Sequence, residues 1–334
     1  MKRLLTRVEI ERILLGSSWF GTGGGLTLAE QRAQAARLTG PVHLVTPADL
    51  NPGALVCCAY GVGPAGGGTA GIIEAFQRAM EILRGVTGGA PIAALFPAEA
   101  NIAGAVFELA GELNLPVLDG DTTGGRAVPE IRIDNFVLHG RTVTPLVAVS
   151  SRGEEIVIVE PKAAADLEAI VRPLATNAVV GVLDHPITAE VAAETLTLGT
   201  LSRAERVGRV IEELQRGAAS LSEVLAAAAA WPVCSGTLTR VELGRREGFL
   251  AGVVELTSSV HGRVEITVKN EYLTCRGEGI PTLTAPDLII LIDPATGLGR
   301  HSASLHPGEP VAVAGIAATP LWATPAGRAV WGLD

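Results

Sequence analysis

Ala54-Leu55-Val56-Cys57-Cys58-Ala59-Tyr60 runs without a polar break into Gly61-Val62-Gly63-Pro64-Ala65-Gly66-Gly67-Gly68. From about residue 70 to residue 84, Ile72, Ile73, Phe76, Met80 and Leu83 then recur at helical spacing. A continuously apolar strand is one buried on both faces, whereas a half-exposed strand alternates. Strand, glycine turn and amphipathic helix therefore predict a sheet covered by helices. The pattern repeats downstream as a strand over 92–96, a helix over 102–113 and a strand over 116–118.

Upstream, Thr6-Arg7-Val8-Glu9 has capping-box spacing and predicts a helix over 7–15 that stops at Gly16. Thr27-Leu28-Ala29-Glu30 opens a second helix after the loop Gly21-Thr22-Gly23-Gly24-Gly25, and a short strand over 42–45 follows. Beyond Asp121 the texture changes. Closely spaced strand-like segments at 131–138, 145–149 and 155–159 predict an antiparallel extension. Residues 162–230 read as mainly helical, with capping-box spacing at Ser202/Glu205 and Ser220/Glu223 and one strand at 179–183 ending in Asp184-His185-Pro186. From Trp231 onward, short β runs dominate. The expected fold class is α/β: a mainly parallel sheet layered with helices in an N-terminal domain (1–161), and a C-terminal α+β domain (162–334), helical over 162–230 and ending in a β-rich subdomain over 231–334.

Composition bounds the function. A chain of 334 residues that is 48% hydrophobic and 18% charged is no disordered polymer. Its net charge of −9 gives no electrostatic footprint for nucleic acid or an anionic membrane. Residues 50–73 carry no charge, yet Pro64 and the glycines favour strand, loop and helix start over a membrane span. Four cysteines without a C-x-x-C pair imply no disulfide framework, and the N-terminus lacks a signal peptide's apolar core, so a cytoplasmic location is expected. Low surface charge makes a homo-oligomer the expected assembly.

Gly61-x-Gly63-x-x-Gly66 stands where a dinucleotide fingerprint would, but no acidic residue ends a strand about twenty residues on, and Glu99 lies too far along. No nicotinamide or flavin is expected. The loop's amides could meet an anion or an oxyanion, or simply make a tight turn. Gly23, Gly24 and Gly25 are costly for a mere reversal and are read as ligand-facing.

Ligands of open α/β sheets bind beyond the carboxyl ends of the strands. Glu99 and Asn101 stand after one strand; Asp119 and Asp121 after another, followed by Thr122, Thr123, Arg126 and Glu130. Paired carboxylates activate water or hold a divalent ion, and an arginine clamps a carboxylate. The dull alternative has the acids capping loop amides and Arg126 in a structural ion pair. His185 could join as base or metal ligand, or be an ordinary loop histidine. Asn270-Glu271 is either a turn pair or a contribution from the C-terminal domain to a cleft.

Four segments together resemble the S-methyl-thiohydantoin desulfurase-like family. They are Phe20-Gly21-Thr22-Gly23-Gly24-Gly25, the run from Leu118-Asp119-Gly120-Asp121 to Gly125-Arg126-Ala127-Val128-Pro129-Glu130, Lys269-Asn270-Glu271-Tyr272-Leu273, and Thr319-Pro320-Leu321-Trp322-Ala323-Thr324-Pro325. The sequence departs from the family's pattern at 97–101, which lacks glycines, at Thr122-Thr123, and at His139, displaced from just after Phe136. The resemblance implies an α/β domain joined to a β-rich one and chemistry on hydantoin-like rings, in which water adds to a ring carbon and expels a thiol.

The reading is a small-molecule hydrolase or desulfurase. Asp119, Asp121 and Glu99 are its catalytic residues; Gly23, Gly24, Gly25, Asn101, Arg126, Glu130 and Glu271 bind substrate. A divalent metal such as zinc would rest on Asp119, Asp121 and His185, although a metal-free acid–base mechanism stays open. The alternative is a non-catalytic accessory or ligand-binding subunit of a hydantoinase-type enzyme.

Overall fold

The computed structural model describes residues 2–161 and 163–333. In chain order the elements begin β1 (Arg3–Leu4), α1 (Arg7–Phe20), α2 (Leu28–Ala36), β2 (His43–Val45), β3 (Leu55–Val62), α3 (Ile72–Val86), β4 (Ile92–Pro97), α4 (Ala103–Leu113), β5 (Val117–Leu118), β6 (Gly120–Asp121) and α5 (Asn135–Leu138). They continue β7 (Leu146–Ser150), β8 (Glu155–Ile158), α6 (Ala164–Val171), β9 (Val180–Thr188), α7 (Ala189–Thr195), β10 (Thr197–Leu198), α8 (Thr200–Gln215) and α9 (Leu221–Ala228). The last are β11 (Ala230–Arg246), β12 (Phe249–Ser258), β13 (Gly262–Lys269), β14 (Glu271–Gly277), β15 (Leu283–Thr284), β16 (Leu288–Ile292), β17 (Pro310–Ile316) and α10 (Pro325–Ala329).

The first sheet has the order β1-β2-β5-β4-β3-β9-β7-β8. Its pairings from β2 through β5 and β4 to β3 are parallel; those of β1 and of β9, β7 and β8 are antiparallel. The sheet is thus mixed rather than mainly parallel, because the strand–helix alternation that enforces parallel crossovers ends at β5. The extension expected after Asp121 exists as β7 and β8, but residues 131–138 are not a strand. Asp134 accepts a 2.7 Å bond from the Phe136 amide and caps the short α5 there.

β9 comes from beyond residue 161, yet it lies between β3 and β7, so the first sheet does not end at the expected boundary. Likewise α8 packs along α1. Gly16, expected to stop α1, sits inside it: a Cβ there would lie 1.8 Å from the Ala204 carbonyl oxygen, and one on Gly208 would lie 1.8 Å from that of Arg12. The glycines let two helix backbones touch. The capping boxes at Thr6, Thr27 and Ser220 form, but Ser202 lies within α8, whose first amides are capped by Asp119 instead.

The second sheet is antiparallel, in the order β15-β14-β13-β12-β11-β17-β16, and curls toward a barrel around Leu238, Val254, Leu256, Ile266, Leu291 and Val313. The charge-free residues 50–73 make β3, the glycine loop and the start of α3. Among the described residues no helix is long and apolar enough to cross a membrane.

Candidate functional site

A cavity opens beyond the carboxyl ends of β3 and β4, where sheets of this kind place ligands. The glycine loop 61–68 forms one wall, Glu99 and Thr122 another, and Asn270, between β13 and β14, with Glu271, the first residue of β14, closes it from the second sheet. Asn270 fastens that closure. Its carboxamide oxygen accepts from the amides of Ala65 (3.0 Å) and Leu250 (2.9 Å), and its nitrogen donates to the Gly63 carbonyl (3.2 Å). It does so with φ +59°, a left-handed conformation that asparagine tolerates better than most residues.

A connected polar array lines the cavity's inner end. The Tyr60 hydroxyl donates to Asp184 Oδ2 at 2.8 Å, Asp184 Oδ1 lies 2.5 Å from His185 Nδ1, and His185 Nε2 faces Asp134 Oδ1 at 3.3 Å. A bulge sets this up: His185 and Pro186 together stand opposite Cys57, between the Val56–Ile187 and Cys58–Asp184 pairs. His185 takes φ +49° there, and its ring packs edge-on to Phe136 with centroids 4.5 Å apart. Burial disfavours the imidazolium, but the Asp184 and Asp134 carboxylates outweigh it and push the pKa of His185 up to about 10. At neutral pH the ring is a cation held between two acids. Burial and the facing Asp184 also carry Tyr60 well above the ordinary phenol value.

The opposite side is carboxylic. Glu99 Oε2 accepts from the Val128 amide at 3.1 Å. Burial, with the charge of Glu271 added, lifts its pKa well above the ordinary carboxyl value. Glu271 is 2% exposed and burial pushes it up to about 8, against the pull of Arg126. Its Oε2 has no protein partner.

The glycines at 23–25 are explained by what presses on them. A Cβ would lie 2.6 Å from the Tyr272 ring at Gly23, 1.9 Å from Glu271 Oε1 at Gly24 and 1.8 Å from Asn101 Nδ2 at Gly25. Asn101 Nδ2 donates to the Gly24 carbonyl at 2.7 Å. The Gly24 amide donates to Gly21, and of the three glycines Gly25 alone lines the cavity, so this loop supports the site more than it lines it.

The structure brings Glu99, Glu130, Glu271, Gly25 and His185 to the cavity and leaves Asp119, Asp121, Arg126 and Asn101 outside its lining. Asp119 Oδ1 accepts from the amides of Leu201 (3.0 Å) and Ser202 (3.1 Å), and its Oδ2 from the Ser202 hydroxyl (2.5 Å). Asp121, at about 7 through burial, accepts from the Gly125 and Thr123 amides. Arg126 is 1% exposed, donates to the carbonyls of Ala127, Pro286 and Asp287, and lies over the Trp331 ring at 4.3 Å. It ties the loop to the second sheet rather than reaching for a substrate. Glu130 pairs with Lys269 and Arg132 at the rim.

Sequence reasoning missed Tyr60, Asp134 and Thr122's place in the wall. The sequence trace of this array is Asp184-His185, expected at a strand end and found at the bulge inside β9, which continues to Thr188.

The expected metal set does not come together. Among the described residues, the grouping with ligand spacing is Cys58, Asp184 and His185. Its chemistry fits an open catalytic zinc poorly: both imidazole nitrogens already face carboxylates, and burial holds the Cys58 thiol far above its ordinary pKa.

Two family models match this chain: S-Me-THD-like, N-terminal domain, over residues 8–160, and S-Me-THD-like, C-terminal domain, over residues 162–334. Among solved structures the chain is similar to the crystal structure of a protein from Chromobacterium violaceum, with TM-score 0.79, 22% identity, and coverage of 98% of this chain and 95% of that one. At that identity the likeness speaks for the fold. No curated protein matches.

Proposed function

We infer the function from the premise that this chain belongs to the S-Me-THD-like family. Membership points to a thiohydantoin-related role. The finer reading is that the protein hydrolyses the carbon–sulfur bond of an S-alkylated thiohydantoin ring. The observation that carries it is the pairing across one cavity of the neutral-biased acid Glu99 with the Tyr60–Asp184–His185 array.

In this reading water attacks the ring carbon that bears sulfur. The Tyr60 oxygen takes a proton from the water as its own proton passes to Asp184, whose charge the His185 cation balances. The carbon–oxygen bond forms, the carbon–sulfur bond breaks, and Glu99 supplies the proton that leaves with the thiol. Exchange with solvent returns a proton to Glu99 and removes one from Asp184. The remaining hydroxyl proton shifts to ring nitrogen, leaving a hydantoin carbonyl.

The test is thiol release from S-methyl-thiohydantoins, followed with a thiol reagent and by mass spectrometry of the ring. One thiol per ring converted is expected, and Glu99→Gln should slow turnover by roughly 10² or more. A folded wild-type protein that binds these rings without releasing thiol would refute the enzyme reading and favour an accessory subunit.

A further inference from the structure

The segment Thr319-Pro320-Leu321-Trp322-Ala323-Thr324-Pro325 lies outside the cavity lining, yet it reaches the polar array in two steps. Trp322 is 1% exposed, and its indole Nε1–H donates to Asn135 Oδ1 at 2.8 Å. An indole nitrogen can only donate, so this bond fixes which way the Asn135 carboxamide is turned. With Oδ1 taken, Nδ2 donates to the Thr195 carbonyl (3.0 Å) and the Thr197 hydroxyl (3.1 Å). The Asn135 backbone amide donates to the Thr122 carbonyl at 2.7 Å. Three parts of the fold thus pin one asparagine.

Its two chain neighbours are groups that touch His185. Asp134 Oδ1 faces Nε2 at 3.3 Å, and the Phe136 ring packs edge-on to the imidazole with centroids 4.5 Å apart. Where Asn135 is pinned they are pinned too, to within the two soft dihedrals of each residue. The indole itself is closely seated, since a Cβ on Gly124 would lie 2.3 Å from Trp322 Cδ1. The chain leading to it is fastened to the second sheet, where the Ala318 amide donates to Asp287 Oδ1 at 2.9 Å just before β16.

We propose that Trp322 is a positioning residue: through Asn135 it sets Asp134 and Phe136 against the His185 ring, and so holds the Tyr60–Asp184–His185 array in place. This deepens the ring-hydrolysis reading of the same cavity and rests on it for the effect on rate. Trp331 supplies an internal control. It belongs to the same apolar cluster, with its ring centroid 6.1 Å from that of Trp322, but its Nε1 has no partner. Exchange for phenylalanine takes the same atoms from each, and only at Trp322 does it take a bond.

The test compares W322F with W331F. A misplacement of about 1 Å can cost a reacting group about 10²-fold, so W322F should lower kcat for thiol release about tenfold or more with KM within about threefold. W331F, which loses no bond, should stay within about twofold of wild type. In proton NMR the His185 imidazole N–H signals should move in W322F and keep their place in W331F, whether or not the chain turns anything over. Equal effects of the two variants would overturn the proposal, because lost packing would then account for both. If W322F does not fold, wild type decides: its Trp322 indole N–H should exchange with deuterium as slowly as core amides, and exchange as fast as that of Trp331 would overturn the proposal. A wild type without thiol release sinks the hydrolase reading, while His185 signals that move only in W322F leave the brace standing. Thiol release with unmoved signals does the reverse.

Discussion

Gly16→Ala and Gly85→Ala exchange the same atoms inside two helices and should move stability in opposite directions. Gly85 lies exposed in α3, and an added Cβ meets nothing within 4 Å. There alanine contributes its usual helix advantage, about 1 kcal/mol. At Gly16 the new carbon lands 1.8 Å from the Ala204 carbonyl oxygen, a backbone atom that cannot turn aside. Restoring an ordinary contact parts α1 from α8 by about 1.5 Å, a gap at which much of the dispersion along the seam is lost. Ile13, Leu201, Val207 and Ile211, all fully buried in this core, lose neighbours together. Overpacking of this kind costs about 1–3 kcal/mol and exceeds the helix gain only if the seam is as rigid as described. We expect Gly16→Ala, at a net cost of about 1–2 kcal/mol, to lower the melting temperature by roughly 1–3 °C and Gly85→Ala to raise it by about 1–2 °C, read by thermal denaturation under one set of conditions. Gly208 meets the Arg12 carbonyl in the same gap, so Gly16→Ala/Gly208→Ala should cost less than the sum of its parts. A Gly16→Ala protein as stable as wild type would refute the close crossing.

Asp119→Ala removes three bonds at the start of α8 and should lower stability by about 1–2 kcal/mol while leaving hydantoin affinity unchanged; a lost affinity with intact stability would return Asp119 to the cavity. Asp121, Glu271 and His185, at about 7, 8 and 10, each hold a proton more tightly folded than unfolded. Their stabilisation is complete below their unfolded values and is lost as pH rises through the folded ones. Melting temperature should therefore fall from about pH 5 to about pH 10, and His185→Gln should flatten the portion above about pH 8. A wild-type curve level across that range would contradict the imidazolium between Asp184 and Asp134. Asn270→Gly keeps the left-handed backbone but frees the Ala65, Leu250 and Gly63 groups, so ring affinity should drop about tenfold and the melting temperature should fall by about 1–3 °C. Unchanged affinity would separate the glycine loop from binding.

Local chemistry was legible where it acts locally. Thr6 with Glu9 and Thr27 with Glu30 form the boxes their spacing promised, because both partners lie within one turn. The apolar run before Gly61 became β3, and β7 and β8 followed the strand-like texture after Asp121. Failures occurred wherever a distant partner decides. Gly16 looked like a helix stop, and the reason it is not is α8, far along the chain. Ser202 and Glu205 have box spacing, but Asp119 already fills the capping position and Glu205 pairs with Arg3 instead. The mixed order of the sheet depends on β9 docking against β3, which no alternation within β3 announces. Glycines 23–25 read from the sequence as ligand-facing; the groups that press on them are Asn101, Glu271 and Tyr272, from two other parts of the fold. Tyr60 read as one more strand residue, since its acid partner arrives only with β9.

The turn at Asn270 and Glu271 makes the cavity a shared possession of two sheets. A protein cut between α9 and β11 would leave the glycine loop unclasped on one fragment and Asn270 and Glu271 stranded on the other. Neither piece alone would hold a complete pocket. Ring binding would then report reassembly of the two fragments, and any change that tilts one sheet against the other would be felt first as a change in what the pocket accepts.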